Sequence, residues 1–109
     1  MTPTDFANAI AREKAIHIAT HFAADSTTEV ASLIEDMGLS ATQRQQLQVA
    51  LDAALRDFAY ALLLGLDGAA QIGGAQCEFR LTDDAGNDVA GGDLEAAAWH
   101  ALHETSQSI

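Results

Sequence analysis

Four histidines come in two helical pairs. His17 and His21 are four residues apart and His100 and His103 three apart, so each pair projects from one helix face. Neutral imidazole binds zinc, copper, nickel or iron, and two such pairs brought together would make a metal site. The surrounding motifs do not support one. His17-Ile18-Ala19-Thr20-His21 lacks the glutamate of a zinc-protease His-Glu-x-x-His, and there is no Glu-x-x-His of a di-iron bundle. The expectation is therefore no metal and no cofactor, with the four histidines at the wet edges of apolar stripes.

Two other constellations invite chemistry and fall short of it. Asp84, Asp88 and Glu95 match positions one, five and twelve of a calcium loop. Gly86 and Val89, however, stand where the loop needs an oxygen ligand and a bending glycine. Cys77, the only cysteine, would serve as a nucleophile beside a histidine, yet it alternates onto the same side as Phe79 and Leu81, where a thiol acts as a small hydrophobe. No Gly-x-Ser-x-Gly, phosphate-binding glycine loop or dinucleotide fingerprint is present. The chain reads as a non-enzyme with no catalytic residue.

The elements that would position these residues are mostly helical. Thr2, Pro3 and Asp5 open a first helix over 3–24 as cap, first-turn residue and dipole partner. Ser26 and Glu29 have capping-box spacing before a short helix over 27–37, which Gly38 ends. Ser40 and Gln43 repeat that spacing before a long helix over 41–66. The second half of this helix, residues 58–66, is apolar all round, which predicts a central element covered on several sides. Residues 76–81 then alternate polar and apolar, the pattern of a half-buried strand. Residues 82–87 supply a turn, and 88–90 can return as a second strand. Asp93 should cap a last helix to about 104, with Leu94, Ala98, Trp99 and Leu102 inward, and residues 105–109 should fray. The expected fold is thus α+β and mostly helical: a single domain over 1–109 with three N-terminal helices, a C-terminal β-hairpin packed on them and a final short helix. Its 23 alanines favour closely packed helices over thick aromatic layers.

Charge narrows the partner. Sixteen Asp and Glu against five Lys and Arg give −11, a field that repels phosphate backbones and anionic lipid. Neither nucleic acid nor a membrane surface is expected to bind directly. The longest apolar run, nine residues, is far short of the roughly 20 that cross a bilayer. The N-terminus lacks a cationic start and an apolar stretch, and a reduced cytoplasmic setting is the default. From Glu78 to Glu104 the acids are Glu78, Asp83, Asp84, Asp88, Asp93, Glu95 and Glu104, with Arg80 the only Lys or Arg. Asp83, Asp84, Asp88, Asp93 and Glu95, on an exposed turn and a helix start, are the candidate contacts for a basic protein partner. Tyr60 and Trp99 are candidate aromatic anchors, though core positions suit both.

Residues 63–68 (Leu-Leu-Gly-Leu-Asp-Gly), 79–87 (Phe-Arg-Leu-Thr-Asp-Asp-Ala-Gly-Asn), 93–95 (Asp-Leu-Glu) and the His103-Glu104 ending resemble small bacterial immunity proteins of polymorphic-toxin and contact-dependent-inhibition systems. The resemblance spans residues 62–104 and carries over no fixed set of functional residues. It implies an antidote that binds a toxin domain, such as a nuclease with a basic substrate groove, and covers its active site. Two alternatives stay open: a homo-oligomeric adaptor using the wide apolar arc of the first helix, and a histidine-based metal-binding protein.

Overall fold

The computed structural model describes residues 1–104, so the expected fraying of 105–109 lies outside the described residues. Four α-helices run α1 (Pro3–Phe22), α2 (Glu29–Asp36), α3 (Ala41–Leu66) and α4 (Leu94–Trp99), and α4 passes directly into a π-helical turn (His100–Glu104). The local signals for the first three act largely as their residue types dictate. Thr2 and Asp5 close a reciprocal capping box on α1, and Ser40 and Gln43 do so on α3. Gly38, at φ 63°, takes the left-handed conformation after α2. One cap is displaced. Thr28, not Ser26, accepts the Ala31 N–H at the start of α2, and its hydroxyl shares further hydrogen bonds with His21 Nδ1 and Ser26.

Helices α1 and α3 form an antiparallel spine. Arg44 at the start of α3 donates to the Phe22 carbonyl at the end of α1 and lies over the Phe22 ring, 5.2 Å from its centroid. Midway, the Lys14 ammonium meets Asp52 at 2.9 Å with the lysine side chain only 8% exposed. On either side of this pair lies a separate apolar cluster. Ile18, Phe22 and Ile34 join the end of α1 to α2, with Val30, Leu39, Leu47 and Leu51 against them. Ala7, Leu63, Leu94, Ala97, Ala98, Ala101 and Leu102 join the start of α1, the end of α3 and α4 with its π turn. Leu63, Leu94 and Leu102 are fully buried, each contributing about 1.5–3 kcal/mol.

The α+β expectation is overturned: among the described residues there is no strand and no sheet. Two isolated antiparallel bridges, Ile72–Ala75 and Thr82–Asp88, are all that remains of the expected C-terminal hairpin. Its turn does form. Asp83 N–H donates to the Asn87 carbonyl and Val89 N–H to that of Leu81. In that register the next ladder bond would run from Gly91 N–H to the Phe79 carbonyl. Gly91 N–H goes instead to the carboxylate of Asp67 at the end of α3, 2.7 Å away, and Gly92 N–H follows it at 2.6 Å. Both glycines have positive φ, 113° and 131°, which turns the chain out of strand geometry. Alternation in 76–81 therefore buries little: Cys77 and Phe79 are exposed and Leu81 is half-buried.

The apolar second half of α3, expected to be covered on several sides, packs against α1, α4 and Ile72, with Leu63 and Gly65 buried, and leaves one face open at Phe58 and Leu62. Trp99, expected inward, is 46% exposed.

Candidate functional site

The five predicted contact residues lie on the irregular segment that links α3 to α4 and on the first turn of α4, but they do not act alike. Asp83 is committed within the chain. One carboxylate oxygen accepts from the Met1 ammonium at 2.6 Å and from Asn87 Nδ2 at 3.1 Å, and the other accepts the N–H groups of Ala85 and Asn87 at 3.0 and 2.9 Å. The ammonium first and Asn87 second hold its carboxyl well below the usual carboxylate range. With 15% of its side chain exposed, Asp83 builds the turn and has little left for a partner. The carboxylates of Asp84, Asp88, Asp93 and Glu95, with that of Glu78, take no hydrogen bond or ion pair among the described residues, and all five residues are exposed. The turn thus spends one carboxylate on itself and presents the others outward.

Asp93 was expected to cap α4 and makes no side-chain cap bond. Asp67 caps that helix from a distance in sequence. One carboxylate oxygen accepts from Gly91 and Gly92, and the other accepts the Glu95 N–H at 3.0 Å. Partial burial alone would raise its carboxyl, but the N–H donors of Gly92, Gly91, Glu95 and Leu94 together leave it lowered. Sequence reasoning missed this residue. Its only visible sign was an acid at a helix exit, just before Gly68.

Between the end of α3 and the turn lies an open cleft of about 580 Å³, lined by Asp67, Glu78, Phe79, Arg80 and Asp88 with the Gly91-Gly92 backbone. Asp88 opens onto it. Glu95 sits elsewhere, in a shallower depression beside Tyr60, Trp99 and His100, so the acidic residues form a surface rather than one pocket.

The histidine pairs do not meet. His21 is bonded to Thr28 at the α2 end of the molecule, and His17 lies 3.5 Å from Glu13. At the α4 end, His100 Nδ1 lies 2.6 Å from Glu104, while His103 stacks on Trp99 at 4.1 Å between ring centroids and meets Tyr60 edge-on at 4.8 Å. The expected aromatic anchors are thus bound up in one cluster whose outer member is Trp99. Among the described residues no group of three His, Cys, Asp or Glu side chains could hold a metal ion.

Comparison with protein-family models, with curated proteins and with solved structures gave no match. What this chain does must therefore be argued from its own surface. Cys77 is exposed, with its Sγ 3.7 Å from the Glu78 carbonyl, and not buried as its alternation suggested. No described helix is long and apolar enough to cross a membrane.

Proposed function

We propose that this chain is a non-catalytic binding protein that docks an acidic surface against a basic partner protein. In its most concrete form it is a cytoplasmic immunity protein that occludes the active site of a bacterial toxin domain, such as a nuclease. One observation carries the reading. Asp84, Asp88, Asp93 and Glu95 stand exposed and unpaired on a stretch of backbone held by Asp83 in the turn and by Asp67 at Gly91, Gly92 and Glu95, and the exposed Glu78 lies just before it. Carboxylates not neutralised at home, carried on a backbone that is already ordered, can meet lysines and arginines without rearranging the turn, and complementary potential speeds encounter and rejects wrong partners. A groove built for a phosphate backbone is a surface of that kind.

The test needs a basic toxin domain as partner, to be sought first in the reading frame beside the one that encodes this chain. Co-expression should protect cells from it, and the purified pair should bind with an affinity that falls as salt rises. Reversing Asp84, Asp88 and Asp93 to lysine should weaken binding at least tenfold and flatten the salt dependence. Unchanged affinity and slope would refute the reading. Asp83 is left out because its loss would dismantle the turn itself.

A further inference from the structure

Along α4 and its π turn, Glu95, Trp99 and His103 stand four residues apart. Side chains at that spacing follow one another along one helix face, and each leans toward the turn before it. The Trp99 indole is the middle member. One turn C-terminal to it, the His103 ring lies parallel to the indole, 4.1 Å between centroids and 17° between planes. Tyr60 arrives from α3 and meets the indole at 68°, 5.7 Å between centroids, as a side wall. Among the described residues nothing else stacks on Trp99, which stays 46% exposed.

The N-terminal side of the indole, toward Glu95, is a hollow. It has a volume of about 320 Å³ and is lined by Tyr60, Gly92, Glu95, Ala96, Trp99 and His100, without His103. Gly92 and Ala96 leave the room, and the two rings bound it. Its rim is fixed to the end of α3, because Asp67 accepts the Gly92 N–H at 2.6 Å and the Glu95 N–H at 3.0 Å. The Glu95 carboxylate itself is exposed and takes no hydrogen bond or ion pair among the described residues.

An indole face attracts cations, and an unpaired carboxylate beside it accepts N–H donors. A guanidinium satisfies both, since it is flat, weakly hydrated and carries its donors in a fork. An ammonium is a compact, strongly hydrated charge with no plane to lay on the ring. An anion would meet Glu95 on a molecule of net charge −11. The larger cleft at Phe79 also joins a ring to carboxylates, but Arg80 lines it and opposes a second cation.

We propose that the hollow between Tyr60, Trp99 and Glu95 is a binding site for a guanidinium group. The group stacks on the indole opposite His103 and pairs with Glu95. The arginine that carries it belongs to the basic partner inferred above, and that assignment rests on the acidic-surface reading.

Trp99 is the only tryptophan, so its indole N–H gives a single NMR signal that reports on the hollow. Titration with Nα-acetyl-arginine methylamide at constant ionic strength should shift that signal saturably, with a dissociation constant of about 1–20 mM for one stacked and paired cation. The lysine analogue should bind about fivefold more weakly, and the citrulline analogue, of the same shape without charge, should not saturate. Glu95→Gln should weaken the arginine analogue about fivefold or more. Ala96→Leu, which fills the hollow and keeps every charge, should abolish its binding. Both side chains are exposed, so both variants should keep the wild-type circular dichroism. The Asp84, Asp88 and Asp93 reversals lie outside the hollow and should leave this dissociation constant within about twofold. No saturable shift, an equal response to citrulline, or indifference to both Glu95→Gln and Ala96→Leu overturns the proposal. A probe that binds while the three reversals leave partner affinity unchanged keeps the site and removes the acidic-surface reading. The converse pair of results removes the site and keeps that reading.

Discussion

Replacing Asp67 by asparagine tests how the acidic segment is held. In the wild type the carboxylate accepts three backbone N–H groups at 2.6–3.0 Å. A hydrogen bond to a charged group contributes about 1.5–3 kcal/mol where it is well buried. Here Gly91, Gly92 and Glu95 are exposed, so water takes up part of the loss. Asparagine keeps one carbonyl oxygen for Gly91 and Gly92 and turns an NH₂ toward the Glu95 N–H. Loss of one bond and weakening of two should cost about 2 kcal/mol, comparable with removing a strong helix cap. For a domain of this size that is a fall of roughly 8–15 °C in melting temperature. Amide exchange should rise first at Gly91, Gly92 and Glu95, before any change in the Ile18–Phe22–Ile34 cluster. The pH dependence has a definite sign. The folded-state pKa of Asp67 lies below its ordinary value, so its contribution is complete above about pH 4 and disappears as pH falls through the lower, folded value. The gap between wild type and variant should be constant from pH 5 to 8, as about 4 is the upper edge of the titration, and should close in acid. A gap under about 0.5 kcal/mol, or one that widens on acidification, would refute the assigned role, because a real cap of this kind is larger and titrates the other way.

Three other outcomes are expected. At Gly65 an added Cβ would meet the Ile72 side chain, with Cδ1 at 2.7 Å and Cγ1 nearer still. Gly65→Ala should therefore destabilise by about 1–2 kcal/mol despite alanine's better helix propensity, and Ile72→Ala in the same chain should recover most of that in urea melts. Lys14→Met keeps the apolar stem but abandons Asp52, which is 39% exposed and can rehydrate. A cost near 1 kcal/mol is expected, rising to about 2 for Lys14→Ala as packing is lost too. Zinc or nickel should not stabilise the chain through all four histidines, since the pairs sit at opposite ends of the spine; a rise in melting temperature that is abolished equally by His17→Ala and by His103→Ala would show that they converge.

Much of the helical fold was legible because its signals are local. Thr2 with Asp5, Ser40 with Gln43, and Gly38 each act within a turn of where they stand. What failed was long-range. The alternation in 76–81 is genuine, but a strand also needs a neighbour's N–H groups, and Asp67 takes the one at Gly91 that would have extended the ladder. The α4 cap was assigned to Asp93 because nothing local reveals a carboxylate arriving from 26 residues upstream. The apolar surround of α3 was legible as composition, whereas the number of its faces that acquire a neighbour depends on where α2 and α4 end up. At the candidate site the surplus of acid could be read directly. Asp83 is committed to the turn by its local bonds to Ala85 and Asn87, whereas the Met1 ammonium that also occupies it comes from the far end of the described chain and has no sign in the local sequence.

The two apolar clusters share no buried residue, and this gives the molecule two independent seams instead of one. Thermal or mechanical loosening at the α2 end has no apolar route to the other end except along α1 and α3 themselves. The half sealed by Leu63, Leu94 and Leu102 can stay shut while its opposite breathes. The acidic segment is moored to the half with the larger cluster, so opening of the smaller cluster around α2 should leave its backbone in place.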